Sequence, residues 1–162
     1  MQLTKNFNLR EFERSYTAER HGIVNKIPAW TIPAWKGLAV EVLQPARDRF
    51  KRVVDVGSGY RCDELNALVG GSKSSQHRAR HKDCAADIEI VGVPNIELAA
   101  FIRDECRFDQ LILEYPDPDD GSAGWVHVSF SLVVARLDVR TKLRSRKKTV
   151  RGLTETYAGR GL

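Results

Sequence analysis

Three residues far apart in the chain are of the types that hold a divalent cation: His77, Asp87 and His127. Asp87 lies in the largely apolar run Ala85-Ala86-Asp87-Ile88-Glu89-Ile90. A bare carboxylate buried there is costly unless it is paired, hydrogen-bonded or metal-bound. His127 sits between Val126 and Val128, and His77 follows a Gly/Ser/Lys-rich loop. Taken singly, each has an ordinary reading, as an exposed loop histidine or a satisfied core residue. As a set they form a zinc donor group of two imidazoles and one carboxylate. Three protein donors leave a coordination position for water, which distinguishes a catalytic site from a closed structural one. Ligation needs neutral imidazole and ionised carboxylate, so such a site is expected to bind metal poorly at acid pH.

Hydrolysis at such a site also needs a base. Glu114 ends the strand-like run Gln110-Leu111-Ile112-Leu113, where a loop begins, and is the first candidate. Asp117, Asp119 and Asp120 on that loop are weaker ones. Arg61 follows Ser58-Gly59-Tyr60, where a guanidinium can grip a substrate carboxylate through two parallel hydrogen bonds. Ser75 either donates to the same carboxylate or shapes the turn before His77.

These residues need elements to position them. Residues 8–22 read as one or two short helices, the first capped by Asn8 with Glu11 closing a capping box, the second stopped by Gly22. Trp35, Leu38, Ala39, Val42, Leu43, Ala46 and Phe50 make one apolar helical face, with Pro45 expected to kink or interrupt it. Strands are expected over 52–56, 84–91, 108–113 and 125–130, with helices over 62–69 and from Pro94 onward. The last two strands form an antiparallel hairpin across the Pro/Asp/Gly-rich loop 115–124. A further short strand is expected around 154–157. This order predicts an α+β fold, a small, mainly antiparallel sheet with helices packed on one side. One domain is expected over 1–162, with an N-terminal helical segment (1–50), a catalytic core (51–131) and a basic C-terminal segment (132–162).

The chain has 162 residues, 42% hydrophobic and 29% charged, which suits a globular domain with a core. No apolar run reaches the ~20 residues that span a bilayer, and the first residues lack a secretory pattern. Cytoplasmic synthesis without membrane insertion is the expectation. Cys62, Cys84 and Cys106 form no CxxC and suggest no disulfide framework. Net charge is +5, with Arg136, Arg140, Lys142, Arg144, Arg146, Lys147, Lys148 and Arg151 clustered late. No aromatic residues interleave these charges as in single-strand binders, so no specific nucleic acid is expected.

The ordered runs Gly57-Ser58-Gly59-Tyr60-Arg61, Leu65-Asn66-Ala67-Leu68-Val69-Gly70-Gly71-Ser72, Ser75-Gln76-His77, Ala85-Ala86-Asp87, Phe108-Asp109-Gln110-Leu111-Ile112-Leu113-Glu114 and Trp125-Val126-His127-Val128-Ser129 carry a resemblance. They resemble the zinc D-alanyl-D-alanine carboxypeptidase family, whose relatives include phage L-alanyl-D-glutamate endopeptidases and the hedgehog-like fold. The likeness covers about residues 5–131. It implies a zinc peptidase acting on peptidoglycan stem peptides, monomeric, and of the endolysin type that reaches the wall with phage assistance. His77, Asp87 and His127 would be the zinc ligands, Arg61 and Ser75 would contact a substrate carboxylate, and Glu114 would be the general base. A non-catalytic cell-wall-binding module of the same fold is the alternative. Two features depart from the family pattern. His77 precedes Asp87 by ten steps rather than the usual seven, which makes His81, six steps before Asp87, a competing ligand and leaves Asp83 and Cys84 as minor ones. Gly124 stands where many relatives carry an acidic residue, three positions before the last histidine.

Overall fold

A computed structural model describes residues 1–80, 82–144 and 149–154. The chain enters through two short helices, α1 (Leu9–Glu13) and α2 (Tyr16–Arg20). The Asn8 side chain accepts from the Arg10 amide, and Glu11 reaches back to the Asn8 amide, so the expected capping box forms. Gly22 closes α2 at φ +65°, and the Gly22 and Ile23 amides donate to Glu19 and Ala18, the two bonds of a Schellman stop.

Helical structure then runs from Ile32 to Phe50 without the break expected at Pro45. It comprises α3 (Ile32–Leu38), a wide π turn (Ala39–Leu43) and α4 (Gln44–Phe50). Pro45 has no amide to offer the preceding turn, and its ring crowds the carbonyl four residues back. The π turn relieves both problems, with the Gln44 amide donating to the Ala39 carbonyl five residues back. Trp35, Leu38, Val42 and Leu43 stay fully buried along one face.

Six strands form one sheet in the order β1-β2-β4-β3-β5-β6. They are β1 (Asp55–Ser58), β2 (Asp83–Glu89), β3 (Gln110–Glu114), β4 (Trp125–Ser131), β5 (Asp138–Lys142) and β6 (Val150–Arg151). All neighbours are antiparallel except β3 and β5. Between β1 and β2 lies α5 (Asp63–Leu68), and between β2 and β3 lies α6 (Asn95–Glu105). The hairpin β3–β4 forms as expected. Its loop is held by Asn95, whose amide nitrogen donates to the carbonyls of Ser122, Ala123 and Gly124 at 3.2–3.3 Å.

Alternation along the strands divides the sheet into two faces. Cys84, Ala86 and Ile88 of β2, Leu111 and Leu113 of β3, and Val126, Val128 and Phe130 of β4 join α3 and α6 in one apolar core. The opposite face presents Asp87, His127, Ile112 and Glu114. The first strand starts three residues later than expected and runs through Gly57 with a register shift, which pairs Ser58 with Asp87. Strands β5 and β6 had no counterpart in the sequence reading. The expected strand at 154–157 falls, apart from Thr154, outside the described residues. Among the described residues no helix is long and apolar enough to cross a membrane.

Candidate metal centre

Strand register brings the distant residues together. Ser58, Asp87, His127 and Ile112 face one another in a row across β1, β2, β4 and β3. His77 comes from a 3₁₀ turn (Gln76–Arg78) and is only 4% exposed, not presented to solvent as its loop suggested. The donor atoms of His77, Asp87 and His127 lie within 4.8 Å of one another. His77 Nε2 is 3.2 Å from His127 Nδ1 and 3.3 Å from Asp87 Oδ1, and His127 Nδ1 is 2.9 Å from that oxygen.

The chemistry of this triangle suits a cation. His77 Nδ1 lies 2.7 Å from the Gly59 carbonyl, which can only accept, so Nδ1 carries the proton and Nε2 turns a lone pair inward. Asp87 Oδ1 also only accepts when ionised. Two acceptors therefore face each other, with only a His127 proton available to bridge them. A zinc ion with bonds of about 2.0–2.2 Å has donors roughly 3.3–3.6 Å apart in a tetrahedron, so small outward shifts of the triangle would admit one.

Protonation states fit as well. Burial pushes the His77 imidazole below its ordinary pKa, more than the attraction of Asp87 restores, so it is neutral at neutral pH. Burial opposes ionisation of Asp87, but the charge that His77 carries whenever it is protonated, and the hydrogen bond with His127, hold its carboxyl well below the usual carboxylate range.

The remaining expected residues divide. Arg61 Nη2 donates to Asp87 Oδ2 at 3.0 Å, and Nε and Nη2 donate to Ser58 Oγ at 3.0 and 2.8 Å. Arg61 thus braces the carboxylate from behind while bordering a cleft of about 460 Å³, lined also by Arg14, Tyr16, Ser58 and Leu65. Glu114 is half-buried on the same sheet face, two positions along β3 from the partner of His127. Burial raises its carboxyl pKa and Asp87 adds to the effect, against the opposing pull of His127, Lys142 and Arg61. Ser75 precedes the 3₁₀ turn, and its hydroxyl makes no capping bond there. Cys84 is fully buried on the core face, turned away from Asp87 by the alternation of β2. Asp83 bonds to Gln76 instead of joining the triangle. His81 lies outside the described residues.

Two backbone features escaped the sequence reading. One is the Gly59 carbonyl that fixes the His77 tautomer. A Cβ at Gly59 would lie 2.7 Å from Phe12 Cα, against the backbone of α1, which cannot yield as a side chain could. Gly59→Ala is expected to cost about 1–3 kcal/mol of stability and to weaken zinc binding about 10-fold by moving that carbonyl. Thermal melts and zinc titration of the variant check both. The other is Gly124, at φ +75°, where any Cβ would overlap the Glu114 carbonyl oxygen. No acidic side chain can stand at that position.

A family model described as Peptidase M15 matches residues 5–129. The chain belongs to the Peptidase M15 family. This is the family of the zinc D-alanyl-D-alanine carboxypeptidases, so the resemblance read from the motifs holds, and the chain is a metallopeptidase by family. The matched segment contains α1 through β4 up to Ser129, and with them every donor of the triangle, Arg61 and Glu114. Among curated proteins, none matches the chain at a significant level.

Proposed function

We propose that this M15 chain is a zinc-dependent peptidase that cleaves peptidoglycan stem peptides, as a D-Ala-D-Ala carboxypeptidase or an L-Ala-D-Glu type endopeptidase. The observation that carries this reading is the convergence of His77 Nε2, His127 Nδ1 and Asp87 Oδ1 on one face of the sheet, with Glu114 beside them. His77, Asp87 and His127 would hold the metal, which supplies Lewis acidity to the scissile carbonyl and to the attacking water. Glu114, kept basic by its buried setting, takes a proton from that water and returns it to the departing amine. Arg61 serves two ends, bracing Asp87 through one nitrogen and facing the cleft where a peptide carboxylate would lie. Ser75 would contact that carboxylate too. The chain works as a monomer, and as an endolysin it reaches the wall after phage-assisted release. The ten-step spacing from His77 to Asp87, which favours a non-catalytic wall-binding module, does not separate their donor atoms.

Digestion of purified peptidoglycan followed by mass spectrometry of the muropeptides tests the proposal. The zinc-loaded protein should release new amino groups at a single bond type. EDTA should abolish release and added zinc restore it, and His127→Ala should be silent. Zinc-loaded protein that binds sacculi and yields no product would establish the binding module instead.

A further inference from the structure

The connection from His77 to Asp87 is long for the family, and the turn that carries His77 spans only Gln76–Arg78. A single 3₁₀ turn has weak hydrogen-bond geometry and little rigidity of its own. Both neighbours of His77 are anchored by their side chains, in different directions. Arg78 Nε and Nη2 donate to Asp63 Oδ1 at 2.9 and 2.7 Å, at the first residue of α5. Gln76 Nε2 donates to Asp109 Oδ2 at 2.8 Å and to Asp83 Oδ2 at 3.1 Å, while its Oε1 accepts from Arg136 Nη2 at 3.1 Å. Arg136 in turn clasps Asp109 through Nε at 2.8 Å, Nη2 at 2.6 Å and its own backbone amide at 3.1 Å.

This arrangement leaves Gln76 little freedom. Its amide is engaged at both ends, so it cannot flip without breaking bonds at both. Asp109 is only 3% exposed, and the guanidinium fork of Arg136 holds it in one orientation. Asp109 is also fixed to the sheet, its amide donating to the Ser129 carbonyl. A metal ligand must be held to roughly half an ångström, and such precision comes from the groups behind it.

We propose that Arg136, acting through Asp109 and Gln76, is a positioning residue for the metal centre: it locks the turn that delivers His77 to the donor triangle. The inference rests on the metal reading above. Arg136 lies beyond residue 129, where the family match ends, so a residue of the basic C-terminal segment completes a site whose donors all lie within the matched part.

The test uses the full chain and zinc or cobalt(II) alone. Zinc Kd is measured by competition with a chromophoric chelator, cobalt(II) coordination by its visible d–d absorption, and apo-protein melting in EDTA. The variants are Arg136→Ala, Arg136→Lys, Gln76→Ala and the Gln76→Ala/Arg136→Ala double, with Arg103→Ala on α6 as control. Arg136→Ala and Gln76→Ala should each weaken zinc binding about 10-fold to 100-fold and alter the cobalt spectrum. Arg136→Lys, which keeps the charge but not the fork, should fall between wild type and alanine. The double variant should be no weaker than the worse single, because both act along one path. Arg103→Ala should match wild type. Should Arg136→Ala fail to fold, Arg136→Lys and Gln76→Ala carry the test. Zinc affinities of those two within about twofold of wild type would overturn the proposal, as would fully multiplicative losses in the double variant. A wild-type chain that takes up no zinc would instead overturn the metal reading itself.

Discussion

Replacing Asp87 by alanine should abolish peptidase activity and weaken zinc binding by at least about 100-fold, the upper end of what losing a supporting contact costs. The reason is the position of this carboxylate. Oδ1 faces both imidazole nitrogens and Oδ2 accepts from Arg61, so one side chain supplies the anionic donor and neutralises the guanidinium behind it. Removal leaves two imidazoles and a cation facing one another. The apo-protein should therefore also lose stability. Breaking a fully buried pair costs about 3–5 kcal/mol. Here the Arg61 and Asp87 side chains keep 20% and 14% exposure, so about 2 kcal/mol is the expectation after allowing for solvent screening. Asp87→Asn separates the two effects. Its amide oxygen can still accept from Arg61, while the anionic donor is gone, so it should melt closer to wild type and still lose zinc. Calorimetric zinc titration beside thermal melts in EDTA measures both quantities. An Asp87→Ala chain that binds zinc as wild type does would place the metal elsewhere.

The parts of this site that were legible in the sequence are those that follow from strand alternation. Asp87 and His127 interrupt apolar strands, and a polar residue on a strand faces opposite to its apolar neighbours, which here means away from α3 and α6. Glu114 could be read at the end of β3 for the same reason. The capping box at Asn8 and the stop at Gly22 were legible because their signals are local. The path after Phe130 was not. In β5, Asp138-Val139-Arg140-Thr141-Lys142 offers one aliphatic residue; its place beside β3 rests on parallel backbone pairing, and on its other side Thr141 donates its hydroxyl to the Gly152 carbonyl just past β6. No hydrophobic period announces such a strand. The burial of His77 was hidden because it depends on contacts far along the chain, from Gly59 on one side and from the Gln76–Asp109–Arg136 network on the other. The uninterrupted helix at Pro45 was missed because a π turn upstream can absorb what proline removes, and no residue pattern marks that choice.

Glu114→Gln should lower kcat by about 100-fold to 10,000-fold, the range of a lost general base, while zinc affinity stays within about twofold of wild type. The amide keeps the size of the carboxyl and its hydrogen-bonding oxygen but cannot take a proton from water. Zinc binding should survive because Glu114 is outside the donor triangle. The pH profile adds a second readout. The base acts when ionised, and burial, reinforced by Asp87, raises its pKa. Activity should thus be present above that pKa and fall as pH drops through it, and the residual activity of Glu114→Gln should lack this acidic limb over the pH range in which zinc stays bound. Among the described residues, the other carboxylates expected as candidates are poorly placed for this role. Position 124, three residues before His127, is closed to side chains by its φ of +75° and by the Glu114 carbonyl against it. Asp117, Asp119 and Asp120 are exposed on the hairpin loop, and Asp120 is engaged with Ser122 through both its amide and its hydroxyl. Asp120→Asn should therefore leave kcat unchanged. Steady-state kinetics on a defined stem peptide, with zinc content measured on each sample, decide the matter: a zinc-replete Glu114→Gln enzyme turning over at close to the wild-type rate would remove Glu114 from the proton transfer.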